Sequence, residues 1–374
     1  MKKIKVLTLV SGVPNSGGVS TVVYTLQEQL NATKFVHNDV ALIRQYDTRI
    51  NAILKRILNK PINNKIETQL NDNIHLIEIP NNFFLNKIKK YKNISFLESK
   101  IDLNEYDIIH AHYYGDYGEL AIELAKQYNK KSIITFHGSD TVSLNESDLN
   151  IINQANYITF VSNFLEEQVQ KLGLINVKTK VIHNGFNSQI FNLRNRLDDR
   201  DVVAYCGSLV DIKGVDSLKD IFTKVYNIEE KINFHIYGDG YKRKELEEYF
   251  KKNGLGVKFF GNLTQEELST ELQRVKILVM PSKREGYPCI VQESKACGVY
   301  IIATNVGGTK EAIGNIGTLI ERNTGFELEM ANQIIKYYNE QIYTVEEIFQ
   351  DNLKSWDRIT EEYSNLYQNI LQEV

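Results

Sequence analysis

Ile4-Lys5-Val6-Leu7-Thr8-Leu9-Val10 is followed by a turn at Asn15-Ser16-Gly17-Gly18, and then by Val19, Val22, Val23, Leu26 and Leu30 at helical spacing. A short run of β-favouring apolar residues reads as a strand buried on both faces. The i, i+3, i+4 recurrence after it reads as a helix with one apolar stripe. The basic start, Lys2-Lys3-Ile4-Lys5, has the flavour of a secretory leader. However, the apolar stretch runs straight into Ser11-Gly12-Val13-Pro14 with no small-residue cleavage pattern, so the strand reading is preferred.

Working outward, the same alternation repeats. Strands are expected at Val40–Ile43, Ile74–Ile79, Ile108–Ala111, Ile133–Thr135 and Tyr157–Val161, with helices such as Leu120–Gln127 and Asn163–Leu172 between them. A polar, charge-dense stretch, Asn187 to Asp201, interrupts the pattern and reads as an exposed linker. Alternation restarts at Val202–Cys206 and continues through Asn233–Tyr237, Val257–Phe260, Ile277–Met280 and Tyr300–Ala303. From Val345 onward the chain reads as helix, with Ile348, Leu353, Trp356, Ile359, Tyr363 and Leu366 as its apolar candidates. The expected class is α/β: two Rossmann-like, doubly wound parallel-sheet domains facing across a cleft. The expected divisions are residues 1–186, a linker at 187–201, 202–355, and a last helix at 356–374.

The chain has 374 residues, 42% apolar and 24% charged, ample for two cores and unlike a disordered chain. Lys and Arg (44) nearly balance Asp and Glu (47), which argues against a nucleic-acid binder. No apolar run approaches the ~20 residues of a membrane span. Cys206, Cys289 and Cys297 lack metal-ligand spacing and read as free thiols of a reducing cytosol.

The chemistry-bearing segments follow predicted strands, where doubly wound sheets bind ligands. Gly17-Gly18 reads equally as a plain turn or as a loop that lets backbone approach a phosphate. His137, in Thr135-Phe136-His137-Gly138-Ser139-Asp140, is placed to act as acid, base or hydrogen-bond partner. Its alternative is a structural histidine near a turn. His110 and His112 share a strand face, but no third metal ligand accompanies them, so a structural role is favoured. Lys213, past Cys206-Gly207-Ser208-Leu209, suits a phosphate, though a lone loop lysine is usually just solvated. Tyr237-Gly238-Asp239-Gly240 is another strand-end turn. In Arg284-Glu285-Gly286-Tyr287-Pro288-Cys289-Ile290-Val291-Gln292-Glu293, two carboxylates flank a turn and a helix start. Free N–H groups there suit a diphosphate. The second glutamate suits a ribose diol, and the first suits sugar hydroxyls or positive charge at a reacting carbon. The plain alternative is two surface glutamates.

In this order the segments resemble the retaining glycosyltransferases of family 4, which have the GT-B fold. The likeness rests mainly on Glu285 to Glu293, Ala296-Cys297-Gly298, and Val306-Gly307-Gly308 with Glu311. Gly17-Gly18, His137 to Asp140, Val181-Ile182-His183-Asn184-Gly185-Phe186 and Gly207 to Gly214 support it. The resemblance implies transfer of a sugar from a nucleotide-sugar, usually a UDP-sugar, with retention and without a metal. It implies that Glu293 holds the ribose, Lys213 the diphosphate and Glu285 the donor sugar, with His137 approaching the sugar from the first domain. It places Gly18 near the phosphates, and Gly207, Ser208, Gly238, Arg284, Gly286, Tyr287, Cys289 and Ile290 around the donor. It implies that residues 1–186 bind the acceptor, that 202–355 bind the nucleotide-sugar, and that the last helix, 356–374, crosses back to the first domain. Two departures stand out: Ser208 where many members carry arginine, and Pro288, which lacks an N–H. Alternatives are a nucleotide-binding, non-catalytic subunit of a transferase complex, or a nucleotide-sugar epimerase of the same fold.

One surface feature remains. Ile50, Ile53, Leu54, Ile57 and Leu58 form an apolar stripe flanked by Arg49, Lys55, Arg56 and Lys60, and Phe83-Phe84-Leu85 leads into Lys87, Lys89, Lys90 and Lys92. A core-facing helix with solvated lysines explains this as well as contact with an anionic membrane through residues 44–92. The expected location is therefore cytoplasmic, with the inner face of the membrane as an option. The acceptor is expected to be a glycan or a lipid-linked molecule.

Overall fold

The structure is a computed structural model that describes residues 2–13, 18–47, 72–81, 89–175, 177–194, 200–340 and 353–373. The chain divides into two compact units. Unit 1 is Met1–Val161, Leu165–Ile182 and Ile359–Val374, and unit 2 is Ser162–Phe164 and His183–Arg358.

Unit 1 is built on a seven-stranded sheet: β1 (Ile4–Val10), β2 (Val36–Asp47), β3 (Ile74–Asn81), β4 (Ile108–His112), β5 (Lys131–Phe136), β6 (Tyr157–Phe160) and β7 (Lys178–Val181). Its order is β3-β2-β1-β4-β5-β6-β7, and every pairing is parallel. Unit 2 holds β8 (Val202–Cys206), β9 (Asn233–Tyr237), β10 (Lys258–Gly261), β11 (Val275–Met280), β12 (Tyr300–Thr304) and β13 (Thr318–Ile320). That sheet is also parallel throughout, in the order β10-β9-β8-β11-β12-β13. Parallel sheets need apolar cover on both faces, which is why central strands such as Ile-Ile-His-Ala-His and Tyr-Ile-Ile-Ala-Thr are buried at every position. In each sheet the strand order reverses, at β1/β4 and at β8/β11, and the space beyond their carboxyl ends is where such folds hold ligands.

Most expected strands lie within a few residues of the observed ones. β7 and β13 were not expected. Each is a short edge strand, and Lys-Thr-Lys-Val has too little apolar content to register. The reading of 187–201 as exposed linker fits Ser188, Gln189 and Arg194, which are exposed, and is corrected at two described residues. Phe191 and Arg200 are buried, and Arg200 donates to the carbonyls of Val275 and Cys297. A guanidinium that caps backbone carbonyls looks, in sequence, like a solvated charge. The last helix spans Trp356–Gln372, with Ile359, Tyr363, Leu366, Tyr367 and Ile370 buried in unit 1. Ile348, the stripe at Ile50–Leu58 and the segment at Phe83–Lys87 lie outside the described residues. No described helix is long and apolar enough to cross a membrane.

Candidate active site

In unit 2 the carboxyl ends of β8 and β11 lie side by side. The β8 loop carries Gly207, Ser208 and Lys213, and the β11 loop carries Ser282, Arg284, Glu285 and Gly286. The two loops are stitched together by the Lys283 N–H, which donates to the Ile212 carbonyl at 2.9 Å. This brings Lys213 to Glu285: its ammonium nitrogen is 2.8 Å from both carboxylate oxygens. The Ser282 hydroxyl donates to the same carboxylate at 2.7 Å. Glu285 is buried and Lys213 half-buried, so the pair is shielded from water on one side. An ammonium has three N–H groups. Two serve Glu285, which leaves one without a partner among the described residues.

The next element is the helix Cys289–Ala296, whose N-cap is Pro288 and whose start is capped by no side chain. First-turn N–H groups there face outward along the helix dipole, an arrangement that favours an anion. Glu293 sits one turn in. Burial raises its pKa from 4.5 to about 7, and among the described residues its carboxyl has no hydrogen-bond or ion-pair partner. Cys206 and Cys289 are half-buried, and their thiols are pushed up by burial and then by the nearby Glu293 charge. Ile290 and Arg284 are half-buried as well, and Ser208 is exposed.

Some predicted site residues turn out to shape the loops. Gly238 has φ +121°, and a Cβ there would stand 2.1 Å from the Gly207 carbonyl oxygen, so its missing side chain lets the β8 and β9 loops touch. Tyr287 is buried, its ring stacked on His183 at 4.5 Å, and the Asn184 side chain donates to its carbonyl at 2.9 Å. Glu311 accepts from the backbone N–H of Asn163 and of Phe164, from the Asn163 side chain, and pairs with His183 at 3.3 Å. Burial works to raise the pKa of Glu311, but these bonds outweigh it and hold it at about 2. Gly307, at φ +56°, lies against the Glu285 backbone, where a Cβ would come within 1.8 Å of the carbonyl oxygen. Sequence reading found Gly307, His183 and Glu311 as parts of a resemblance without a role, and it missed Ser282. A serine three residues before a glutamate carries no distinctive signal.

In unit 1, His137 follows β5 and is buried. The turn carrying it is held by Asp140, whose carboxylate accepts the N–H groups of His137 (3.1 Å), Gly138 (2.8 Å) and Tyr114 (3.3 Å). Burial lifts Asp140 to about 6 against the pull of those N–H groups. His137 Nε2 lies 3.0 Å from Nδ1 of His112 at the end of β4. Gly18 opens the first helix, is exposed, and would have open space around a Cβ, so nothing described there demands glycine.

The family described as "Glycosyl transferases group 1" matches residues 187–354, and "Glycosyltransferase Family 4" matches residues 16–189. An uncharacterized glycosyltransferase of Methanocaldococcus jannaschii is 30% identical over 260 residues, covering 65% of this chain and 71% of that protein. The gpi3 subunit of a phosphatidylinositol N-acetylglucosaminyltransferase from Schizosaccharomyces pombe is 25% identical over 256 residues. That match covers 66% of this chain and 56% of the relative, so the chain spans little more than half of that protein. The solved structure of Anabaena Alr3699/HepE in complex with UDP-glucose matches with a TM-score of 0.64 at 17% identity, over 99% of this chain and 98% of that one. Two parallel-sheet domains in this order, with both halves matched, make the chain a member of the group 1, family 4 glycosyltransferases, with the GT-B fold.

Proposed function

We propose that the protein transfers a sugar from a UDP-sugar to a glycan, cell-envelope or lipid-linked acceptor, with retention at the anomeric carbon. The observation that carries this is the Lys213–Glu285 pair beside an uncapped helix start that bears Glu293, which has no partner among the described residues. In this reading the remaining Lys213 N–H and the first-turn N–H groups of Cys289–Ala296 meet the diphosphate. The bond that breaks joins the anomeric carbon to the diphosphate oxygen, and the negative charge grows on that oxygen. Donors aimed at developing charge in a shielded site supply the largest rate term in many enzymes. Glu285, held by Lys213 and Ser282, faces the electron-poor anomeric carbon and the sugar hydroxyls. The acceptor oxygen attacks on the face the diphosphate leaves, and its proton passes to the departing oxygen. Glu293 accepts hydrogen bonds from the ribose diol, and His137 is the sugar-contacting group of unit 1.

Support for the donor comes from the UDP-glucose complex of the Anabaena neighbour. Support for a lipid-linked acceptor comes from the Schizosaccharomyces pombe relative, a subunit of a phosphatidylinositol N-acetylglucosaminyltransferase. If the acceptor is membrane-borne, neutralising Lys87, Lys89, Lys90 and Lys92 lowers co-sedimentation with anionic liposomes. Unchanged partitioning would remove membrane contact from the proposal.

The test is hydrolysis of UDP-glucose, UDP-galactose and UDP-N-acetylglucosamine, followed by UDP release and early-time proton NMR of the sugar. The expected result is release of the α-anomer, lost in Glu285→Gln and unaffected by EDTA. A β-anomer would contradict retention. Tight UDP binding with no turnover of any donor, with or without acceptor, would favour the non-catalytic subunit.

A further inference from the structure

His137 is tied at one ring nitrogen. Its imidazole lies beside that of His112, with centroids 5.2 Å apart and 30° between the ring planes, and the two share the 3.0 Å contact between His137 Nε2 and His112 Nδ1. His112 in turn lies on His110, with centroids 4.4 Å apart. His110 is anchored at both nitrogens, by the Tyr367 hydroxyl at 2.9 Å and the Thr135 hydroxyl at 2.7 Å. All three side chains are buried, and burial lowers the proton affinity of each, His110 and His137 to about 3. At neutral pH the pair is therefore two neutral rings.

A hydrogen bond between two neutral imidazoles needs one N–H and one lone pair. If His112 donates from Nδ1, both rings are Nδ1–H tautomers and His137 presents an N–H at its own Nδ1. If His137 donates from Nε2, both are Nε2–H tautomers and His137 presents a lone pair at Nδ1. In either case His137 Nε2 is occupied, no described residue bonds its Nδ1, and the two tautomers match.

We infer that His112 is a positioning residue for His137: it fixes the ring plane and couples its tautomer, so that Nδ1 is presented to a sugar in one protonation form. This rests on the reading of His137 as a sugar contact. Orienting partners of this kind hold a functional imidazole in one tautomer and one direction.

The test uses full-length protein, long-range proton–nitrogen NMR of the histidine rings, and hydrolysis of whichever of the three UDP-sugars turns over fastest. In the wild type, His112 and His137 are expected to show the same tautomer. In His112→Leu, His137 is expected to lose that preference. Turnover is expected to fall about tenfold to hundredfold, with a smaller change in KM for the donor. His112→Asn, whose amide reaches the position of Nδ1, restores both signals in large part. Adding His112→Leu to His137→Ala costs nothing further. Unmatched tautomers in the wild type, or an unchanged His137 spectrum in His112→Leu, overturn the inference. Turnover lost in His137→Ala but kept in His112→Leu overturns it too. Turnover undiminished in His137→Ala overturns the assignment of His137 itself, a different failure.

Discussion

Glu293 keeps its proton to about pH 7 because burial penalises its carboxylate, whereas the unfolded chain releases that proton near 4.5. Between those values the native state binds more protons than the unfolded state. Stability therefore falls as pH rises through that window, and the penalty is constant above it. Glu293→Gln removes the penalty: calorimetry at pH 8 is expected to show a Tm higher by roughly 2–4 °C, with the difference vanishing near pH 4. Glu311 has the opposite sign. Its folded pKa is about 2, so the stability it confers is present above 4.5 and disappears as pH falls toward 2. Glu311→Gln is expected to cost about 2 kcal/mol at pH 7 in denaturant titrations and nothing near pH 2. The identities of Glu285, Glu293, Lys213 and His137 as site candidates were legible in the sequence. The pairing of Lys213 with Glu285 was not, since side chains 72 positions apart meet only through the sheet. The contact of His112 with His137 also went unread, because two histidines on one strand most simply suggest packing.

Loops and helix ends position the site. The strands that place them could be read because Val, Ile and Leu runs buried on both faces have little alternative in a parallel sheet. The edge strands β7 and β13 lacked that signal. The Arg200 contacts were hidden because its head group caps carbonyls on distant elements. Gly307 shows how tightly the β11 and β12 loops approach. Gly307→Ala would force a Cβ within 1.8 Å of the Glu285 carbonyl oxygen from a left-handed backbone. A loss of at least about 2 kcal/mol is expected, and UDP-sugar turnover should fall with it because the Glu285 backbone must move. Unchanged stability would show that the loops separate freely.

The order of secondary elements revealed two doubly wound units at the scale of the whole molecule, because the strand-helix alternation stops and restarts. That the last helix belongs to unit 1 is a matter of packing. Ile359, Tyr363, Leu366, Tyr367 and Ile370 bury their side chains there, and Tyr367 holds His110. At about 1.5–3 kcal/mol per buried apolar side chain, ending the chain at residue 355 removes on the order of 10 kcal/mol, comparable with the whole stability of a domain. Such a truncation is expected to lose cooperative unfolding of unit 1, and an intact two-step melt would contradict this. The central claim is that unit 2 holds a uridine diphosphate between Lys213, the Cys289–Ala296 helix start and Glu293. Its most direct test is calorimetric titration of UDP into the wild type and Glu293→Ala. The account predicts binding to the wild type and at least about tenfold weaker binding to the variant, the loss of roughly one charge-assisted hydrogen bond. Equal affinity in the two proteins, or no binding by the wild type, would contradict it.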